Sequence, residues 1–210
     1  MAKKKGREKQ AGVLPNGSEG TSSFEVLEKE FSPLRQRLLK RDEEREEVLA
    51  KARKALRESK QAIFALHRGD VRRAETSLKE VQEVLGALRK KGEVYSAFHA
   101  AVQEWVEAVI FLHFIKTGKL LGPSRFLRMG VSDEDYLLGL CDATGELARR
   151  AVVLGAGGDV EGVRSIRSVV EDVFGVLLGF DLRNGELRKK SDAIKWNLKR
   201  VEEVWSSLPR

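Results

Sequence analysis

The segment from residue 100 to 115 constrains the fold more than any other part of this 210-residue chain. Nearly every residue in it is Ala, Val, Trp, Ile, Phe or Leu, so a helix built from it is apolar on almost all sides. Such a helix is stable only where other elements surround it. Its uninterrupted apolar run is far shorter than the roughly 20 residues that a membrane span needs. The segment therefore predicts the central helix of a packed soluble assembly.

Apolar residues recur at helical spacing through the rest of the chain, whereas alternation with a period of two is not sustained anywhere. We therefore expect an all-α, antiparallel multi-helix bundle of about six long helices plus a short connecting helix, joined by Gly-containing turns. The expected long helices cover about 23–67 with a bend at Pro33, 71–90, 93–117, 133–154, 160–178 and 185–208, and the short one ends near Phe126. The stripe expected to be buried on the first helix consists of Leu34, Leu38, Val48, Leu49, Ala52, Leu56, Ile63 and Leu66.

Residues 1–22 differ from the remainder in composition. Lysines come first and Gly, Pro, Asn and Ser follow, which is typical of a disordered basic arm, and we expect residues 23–210 to form a single domain. The net charge is +7, and residues 1–10 alone carry five basic residues against one acidic residue. Such an arm can raise nonspecific affinity for nucleic acid, although a solubility segment is the simpler interpretation.

One cysteine, Cys141, excludes an internal disulfide. The charged N-terminus has no apolar core after it and so does not resemble a signal peptide. We expect a cytoplasmic protein that does not enter a membrane. Cys141 has no evident activating base nearby in sequence, which argues against a nucleophilic role.

Two pairs of acids interrupt the two most apolar stretches. Glu104 and Glu107 lie three residues apart, and Asp142 and Glu146 lie four apart, so each pair shares one helix face. We call these residues the four acids. An ionised carboxylate in apolar surroundings costs several kcal/mol unless it is paired or binds a cation. Converging acids of this kind indicate a divalent metal site.

The ligand chemistry narrows the choice of metal. The histidines His67, His99 and His113 are widely spaced and, with one cysteine, do not supply a zinc set. Oxygen ligands alone suit Mg²⁺ or Mn²⁺, which points toward phosphate chemistry. The alternative is that the acids form internal salt bridges, for example with Arg149 or Arg150, or line a polar surface between subunits.

Other side chains have simpler interpretations. Trp105 and Phe111 are expected in the core, and His113 is expected to be a core histidine with satisfied hydrogen bonds. Asp135 lies two turns before Asp142 and could join the four acids. Its place near a helix start, where an acid favours the helix dipole, explains it equally well.

The segments around the four acids resemble those of the translin superfamily, and within it the translin-associated factor X branch. Residues 103–109, Gln-Glu-Trp-Val-Glu-Ala-Val, resemble that branch's QEYVEAV, and residues 113–117 resemble the end of its QHFIKT segment. Residues 135–139 and 142–147 are similar to DYLLG and DLTGEL. Weaker likeness covers residues 58–68 and the last helix, so the resemblance runs from about residue 40 to the end.

This resemblance implies a translin-like helical subunit that assembles into a hollow oligomer, usually an octamer, and cleaves single-stranded RNA with Mg²⁺. The catalytic and metal-binding acids of that branch match Glu104, Glu107, Asp142 and Glu146 here. Translin itself lacks the first two and binds nucleic acid without cleaving at that site. The short connection between the two segments resembles archaeal members, which implies a homo-oligomer. His99 falls in a pair shared with translin, where that region touches nucleic acid; a capping or buried histidine explains it equally.

The resulting hypothesis is a Mg²⁺-dependent endoribonuclease that hydrolyses phosphodiester bonds. One alternative is an oligomer that binds single-stranded RNA or DNA without cutting it, and another is a helical scaffold. Acids that are scattered, or each already paired with an arginine or lysine, would remove the hydrolase hypothesis and leave a helical oligomer.

Overall fold

The computed structural model describes residues 22–209, and this part of the chain contains helices and no strand. It therefore confirms the all-α prediction of six long helices and one short connecting helix. The helices are α1 (Ser23–His67), α2 (Val71–Gly92), α3 (Ser96–Thr117), α4 (Ser124–Arg128), α5 (Asp133–Ala156), α6 (Val160–Leu178) and α7 (Glu186–Ser207). The predicted basic arm lies outside the described residues, apart from Ser22, and the single domain stays a prediction. None of the helices in residues 22–209 is long and apolar enough to cross a membrane.

Local side chains set the helix ends. Asp70, Ser132 and Asp159 each accept a hydrogen bond from the backbone N–H three residues later, which caps α2, α5 and α6. The largest difference from the expected boundaries is at α3, which begins at Ser96 instead of residue 93 because Tyr95 has extended backbone geometry.

Contacts divide the chain into two compact units, one ending at Glu44 and the other beginning at Arg45. In the first unit the described structure is the initial part of α1, where Leu34 and Leu38 are 45% and 59% exposed. The predicted buried stripe is therefore wrong for these two residues, because no second described element of that unit covers them. From Val48 onward the stripe is buried, with Leu56 half-buried.

In the second unit α3 and α5 form the centre. Helix α5 packs against α3, α6 and α7, and α3 also packs against α2. Trp105 on α3 is buried, and its indole N–H donates to the carbonyl of Leu78 at 3.0 Å, which confirms the predicted core role. Phe111 is fully buried as predicted.

Close contact between α3 and α5 depends on Gly139. A Cβ atom at this position would lie 2.7 Å from the backbone oxygen of Gln103 and 2.8 Å from Val106. Contacts this short do not occur between real side chains, so only glycine allows the two helices to approach so closely. Gln103 precedes Glu104, and Gly139 lies one turn before Asp142. The close approach therefore occurs where both helices carry their acids.

Candidate functional site

The structure brings the four acids together from two packed helices. Glu104 and Glu107 project from α3, and Asp142 and Glu146 project from α5. The charges of Asp142 and Glu146 both act to raise the pKa of Glu104 and the pKa of Glu107. The two pairs therefore lie near enough for their charges to act on one another.

Burial within this cluster is graded. The Glu107 residue is 8% exposed, and the side chains of Glu104, Glu146 and Asp142 are 17%, 23% and 34% exposed. Burial raises the pKa of Glu107 to about 9, with further contributions from the other three acids. Burial also raises the pKa of Glu104, against the attraction of Lys60. Burial and the neighbouring negative charges therefore both disfavour the ionised form of these glutamates, and the effect is largest at Glu107.

Three of the four acids have basic partners. Lys60 Nζ on α1 lies 3.6 Å from Glu104, and Lys190 Nζ on α7 donates to Asp142 at 2.6 Å. Burial lowers the pKa of Lys190, but the hydrogen bond to Asp142 and the negative charges of Asp142, Glu186 and Glu107 together outweigh burial, and the net pKa is raised. Within the described residues, Glu107 forms no salt bridge.

Glu146 has two partners, the Nε2 atom of His67 and the guanidinium of Arg149 at 3.7 Å. The hydrogen bond from His67 is the main cause that lowers the pKa of Glu146. The predicted alternative of internal salt bridges thus holds in part, and Arg149 is one of the residues it named.

No group of three or more Asp, Glu, His or Cys side chains among residues 22–209 is already arranged to hold a metal ion. A divalent cation would therefore need the carboxylates to turn away from Lys60 and Lys190. The donor set fits Mg²⁺ or Mn²⁺ in its chemistry, because both ions bind carboxylate oxygens and retain water in their other positions. The raised pKa of Glu107 fits the same interpretation, since a nearby cation would favour its ionised form.

His67 is the functional candidate that the sequence did not single out. Its side chain is 8% exposed and its ring packs against Phe111 with 4.8 Å between ring centroids. The Nδ1 atom is buried without a hydrogen-bond partner, so Glu146 is the polar group that fixes this ring. His67 follows Lys60 by seven residues, which places both on one face of α1. This spacing could have identified His67 as a candidate from the sequence.

Asp135 does not share the partners of the four acids. It is buried and accepts hydrogen bonds from His99 Nδ1 at 2.8 Å, Gln103 at 2.8 Å and Ser132 at 2.8 Å. His99 Nε2 lies 2.9 Å from the carbonyl oxygen of Glu93. Both ring nitrogens thus face acceptors, an arrangement that favours the doubly protonated, positively charged form of His99.

These contacts bear on the prediction that His99 touches nucleic acid. Burial lowers the pKa of His99, but the hydrogen bonds to Asp135 and Glu93 and the negative charges of these two residues together outweigh burial, and the net pKa is raised. The contacts favour a structural role that joins the start of α3 to the start of α5. Its contact with nucleic acid stays a prediction.

The side chains of Cys141 and His113 form none of the hydrogen bonds and ion pairs given above. Burial raises the pKa of the Cys141 thiol to about 12, which agrees with the absence of a nucleophilic role. His113 is half-buried and lines a cavity of about 320 Å³ between α2 and α3, together with Lys79, Lys116 and Arg125. The lining of that cavity includes none of the four acids.

Known proteins share both this fold and these segments. Translin-associated protein X of Rattus norvegicus is 29% identical over 239 residues, which cover 91% of this chain and 81% of that protein. An uncharacterized protein of Methanocaldococcus jannaschii is 29% identical over 161 residues, covering 74% of this chain and 72% of its own. The solved structure of an AfC3PO complex with duplex RNA is 28% identical with a TM-score of 0.72, covering 85% of this chain and 95% of that chain.

The family of this chain follows from its match to the sequence model of a protein family. The model of the Translin family matches residues 43–208, a range that contains all four acids and each basic partner described above. The resemblance to the translin-associated factor X branch is confirmed by the relatives named translin-associated protein X. This chain therefore belongs to the translin family.

Proposed function

We propose that this protein is a Mg²⁺-dependent endoribonuclease that hydrolyses phosphodiester bonds of single-stranded RNA within a hollow homo-oligomer, an octamer. The observation that carries the proposal is that the charges of the four acids from α3 and α5 act on one another, with buried Glu107 forming no salt bridge among the described residues. The similarity to translin-associated protein X and to a chain solved with duplex RNA supports an RNA-related role.

Glu104, Glu107, Asp142 and Glu146 are the residues that would hold Mg²⁺, or Mn²⁺ in its place. When bound, such an ion supplies charge neutralisation at the phosphate and lowers the pKa of a water molecule. Carboxylates from two helices approach such an ion from two sides and leave its other positions to water or phosphate oxygens.

The basic partners of the acids have a second use in this proposal. Lys60 and Lys190 have long flexible side chains and already lie at Glu104 and Asp142. A phosphate group at the site offers the same kind of oxygen acceptor, so each ammonium group can exchange its carboxylate for a phosphate oxygen. His67 stays with Glu146 and holds that carboxylate in one orientation, as outer partners of metal ligands commonly do.

Exposed apolar residues on the first unit support self-assembly. Large apolar side chains recur at alternating spacings of three and four along the start of α1, at Phe24, Leu27, Phe31, Leu34 and Leu38, and all are at least 45% exposed. A seam of this spacing is typical of helices that pack against another helix. The octamer itself rests on the family resemblance.

A second candidate function is a non-catalytic oligomer that binds single-stranded RNA or DNA. The observation that favours it is that three of the four acids already have basic partners, with no ready-made ligand group in residues 22–209. In this case the four acids would be structural, and divalent ions would not lead to cleavage of the bound nucleic acid.

The experiment compares cleavage of a labelled single-stranded RNA in Mg²⁺ and in EDTA. The test variant combines Glu104→Gln and Glu107→Gln, which keeps side-chain shape and removes charge. Glu83→Gln is the matched control, because Glu83 is an exposed glutamate on α2. We expect the wild type and the control to cleave only with Mg²⁺, and the double variant to be inert at unchanged mass by light scattering. Cleavage by the double variant at the wild-type rate would refute the nuclease, and RNA binding without any Mg²⁺-dependent cleavage would support the second candidate.

A further inference from the structure

An exposed aromatic ring lies beside the acid site on α1. Phe64 is 56% exposed, although its chain neighbours Ile63 and Ala65 are buried. It follows Lys60 by four residues and precedes His67 by three, so the three side chains share one face of the helix. Because Lys60 contacts Glu104 and His67 contacts Glu146, the face of α1 that carries Phe64 is the face that borders the four acids.

A cationic group accompanies this ring. The guanidinium carbon of Arg68, one turn further along α1, lies 5.8 Å from the ring centroid of Phe64. A single exposed phenylalanine is ordinary on a protein surface. An exposed ring with an arginine over it, between two residues that contact the acid site, is a combination suited to nucleic acid: the ring offers a stacking surface and the guanidinium offers a phosphate contact.

We propose that Phe64 stacks on an unpaired nucleobase of RNA adjacent to the phosphodiester at the four acids, and thereby makes the site select single strands. The inference rests on the proposed function, for which it names the residue that determines specificity. A base within a duplex has both faces covered by its neighbours, so it cannot stack on Phe64 without leaving the helix. Arg68 then holds a phosphate of the flanking nucleotide.

The test measures RNA binding separately from cleavage. All proteins carry Glu107→Gln so that RNA stays intact, and the probes are a fluorescently labelled single-stranded RNA, the same strand in a duplex, and a single strand with one 2-aminopurine that reports stacking. The variants are Phe64→Ala and Phe64→Trp. The matched control is Phe180→Ala, because Phe180 is 44% exposed and lies between α6 and α7, outside the helices that carry the acids.

We expect Phe64→Ala to weaken single-strand binding by about tenfold, which is within the range for loss of one stacked base, and to abolish the quenching of 2-aminopurine. Phe64→Trp should retain both, Phe180→Ala should match the parent protein, and duplex binding should be the same in all. Equal binding of the single strand by Phe64→Ala and its parent overturns the proposal. An equal loss for single strand and duplex does so too, as does a change of oligomeric mass in Phe64→Ala, since that would place Phe64 in a contact between subunits. Failure of the Glu107→Gln parent protein to bind RNA also overturns it.

Failure of this inference is distinguishable from failure of the proposed nuclease. Phe64-dependent binding by a wild-type protein that never cleaves RNA with Mg²⁺ keeps the stacking role and removes the nuclease. Mg²⁺-dependent cleavage by Phe64→Ala, with the wild-type rate, KM and preference for single strands, keeps the nuclease and removes the stacking role.

Discussion

Replacing Glu107 by glutamine should stabilise the metal-free protein at neutral pH. Burial and the other three acids raise the pKa of Glu107 to about 9, from its ordinary value of 4.5. At pH 7 the folded protein therefore keeps Glu107 protonated, whereas the unfolded chain ionises it. Between the ordinary pKa and pH 7 this amounts to about 2.5 pH units at about 1.4 kcal/mol each, or ~3.5 kcal/mol of lost stability. Glutamine has the same shape and nothing to ionise, so the variant avoids this loss.

The sign of the effect follows from proton binding. Between pH 4.5 and about 9 the folded state binds more protons at this residue than the unfolded state, so wild-type stability falls as pH rises. Below pH 4.5 both states are protonated and the contribution disappears. The advantage of Glu107→Gln should therefore be small near pH 4.5 and should grow steadily toward pH 8.

Urea unfolding in EDTA at several pH values and one protein concentration measures this difference, with Glu83→Gln as the exposed control. In a parallel thermal unfolding experiment at pH 7, the expected gain corresponds to a rise in Tm of roughly 7–14 °C for a chain of this size. An advantage of Glu107→Gln that is equal at pH 5 and pH 8 would refute the reasoning, because packing effects do not follow this titration. Added Mg²⁺ should stabilise the wild type and have less effect on the variant.

Three further outcomes test other parts of the structure. His67→Asn should weaken Mn²⁺ binding in calorimetry by about tenfold while leaving the circular dichroism spectrum unchanged, because outer partners orient metal ligands; unchanged affinity would exclude that role. Because the pKa of His99 is raised, its contribution to stability should be complete below pH 6.5 and should be lost as pH rises through its folded-state pKa. Urea unfolding of His99→Ala at several pH values should lack this pH-dependent loss of stability. Gly139→Ala should destabilise by about 1–3 kcal/mol through overpacking, whereas Gly175→Ala should not, because a Cβ atom at Gly175 meets nothing within 4 Å.

The helices were predictable because their signal is local. Helix α2 shows this best: Ala74, Leu78, Val81, Leu85 and Leu88 follow helical spacing, and all five are buried as the spacing predicts. The start of α1 has the same kind of spacing, but its apolar residues are exposed. Spacing indicates which residues share a face and does not indicate what covers that face.

The acid site was predictable only in part, because spacing does not indicate which distant residues contact a given helix face. Spacing within α3 and within α5 identified both acid pairs, and the resemblance joined them. The partners of these acids come from distant parts of the chain: His67 is 79 residues from Glu146, and Lys190 is 48 residues from Asp142. Pairings at such separations depend on how α1 and α7 pack, which no local pattern encodes.

The distribution of counter-charge favours a ligand-binding role for the four acids over a structural one. The Lys60 side chain is 61% exposed, and an exposed ion pair contributes about 0–1 kcal/mol, so its contact with Glu104 is readily exchanged. In a purely structural network, the most buried acid needs an internal cation most, because its ionised form is the most costly. Here Glu107 is the most buried of the four acids and the one without a salt bridge among the described residues. Without a cation the raised pKa keeps Glu107 protonated, and a cation from outside the chain would supply the charge that its ionised form lacks.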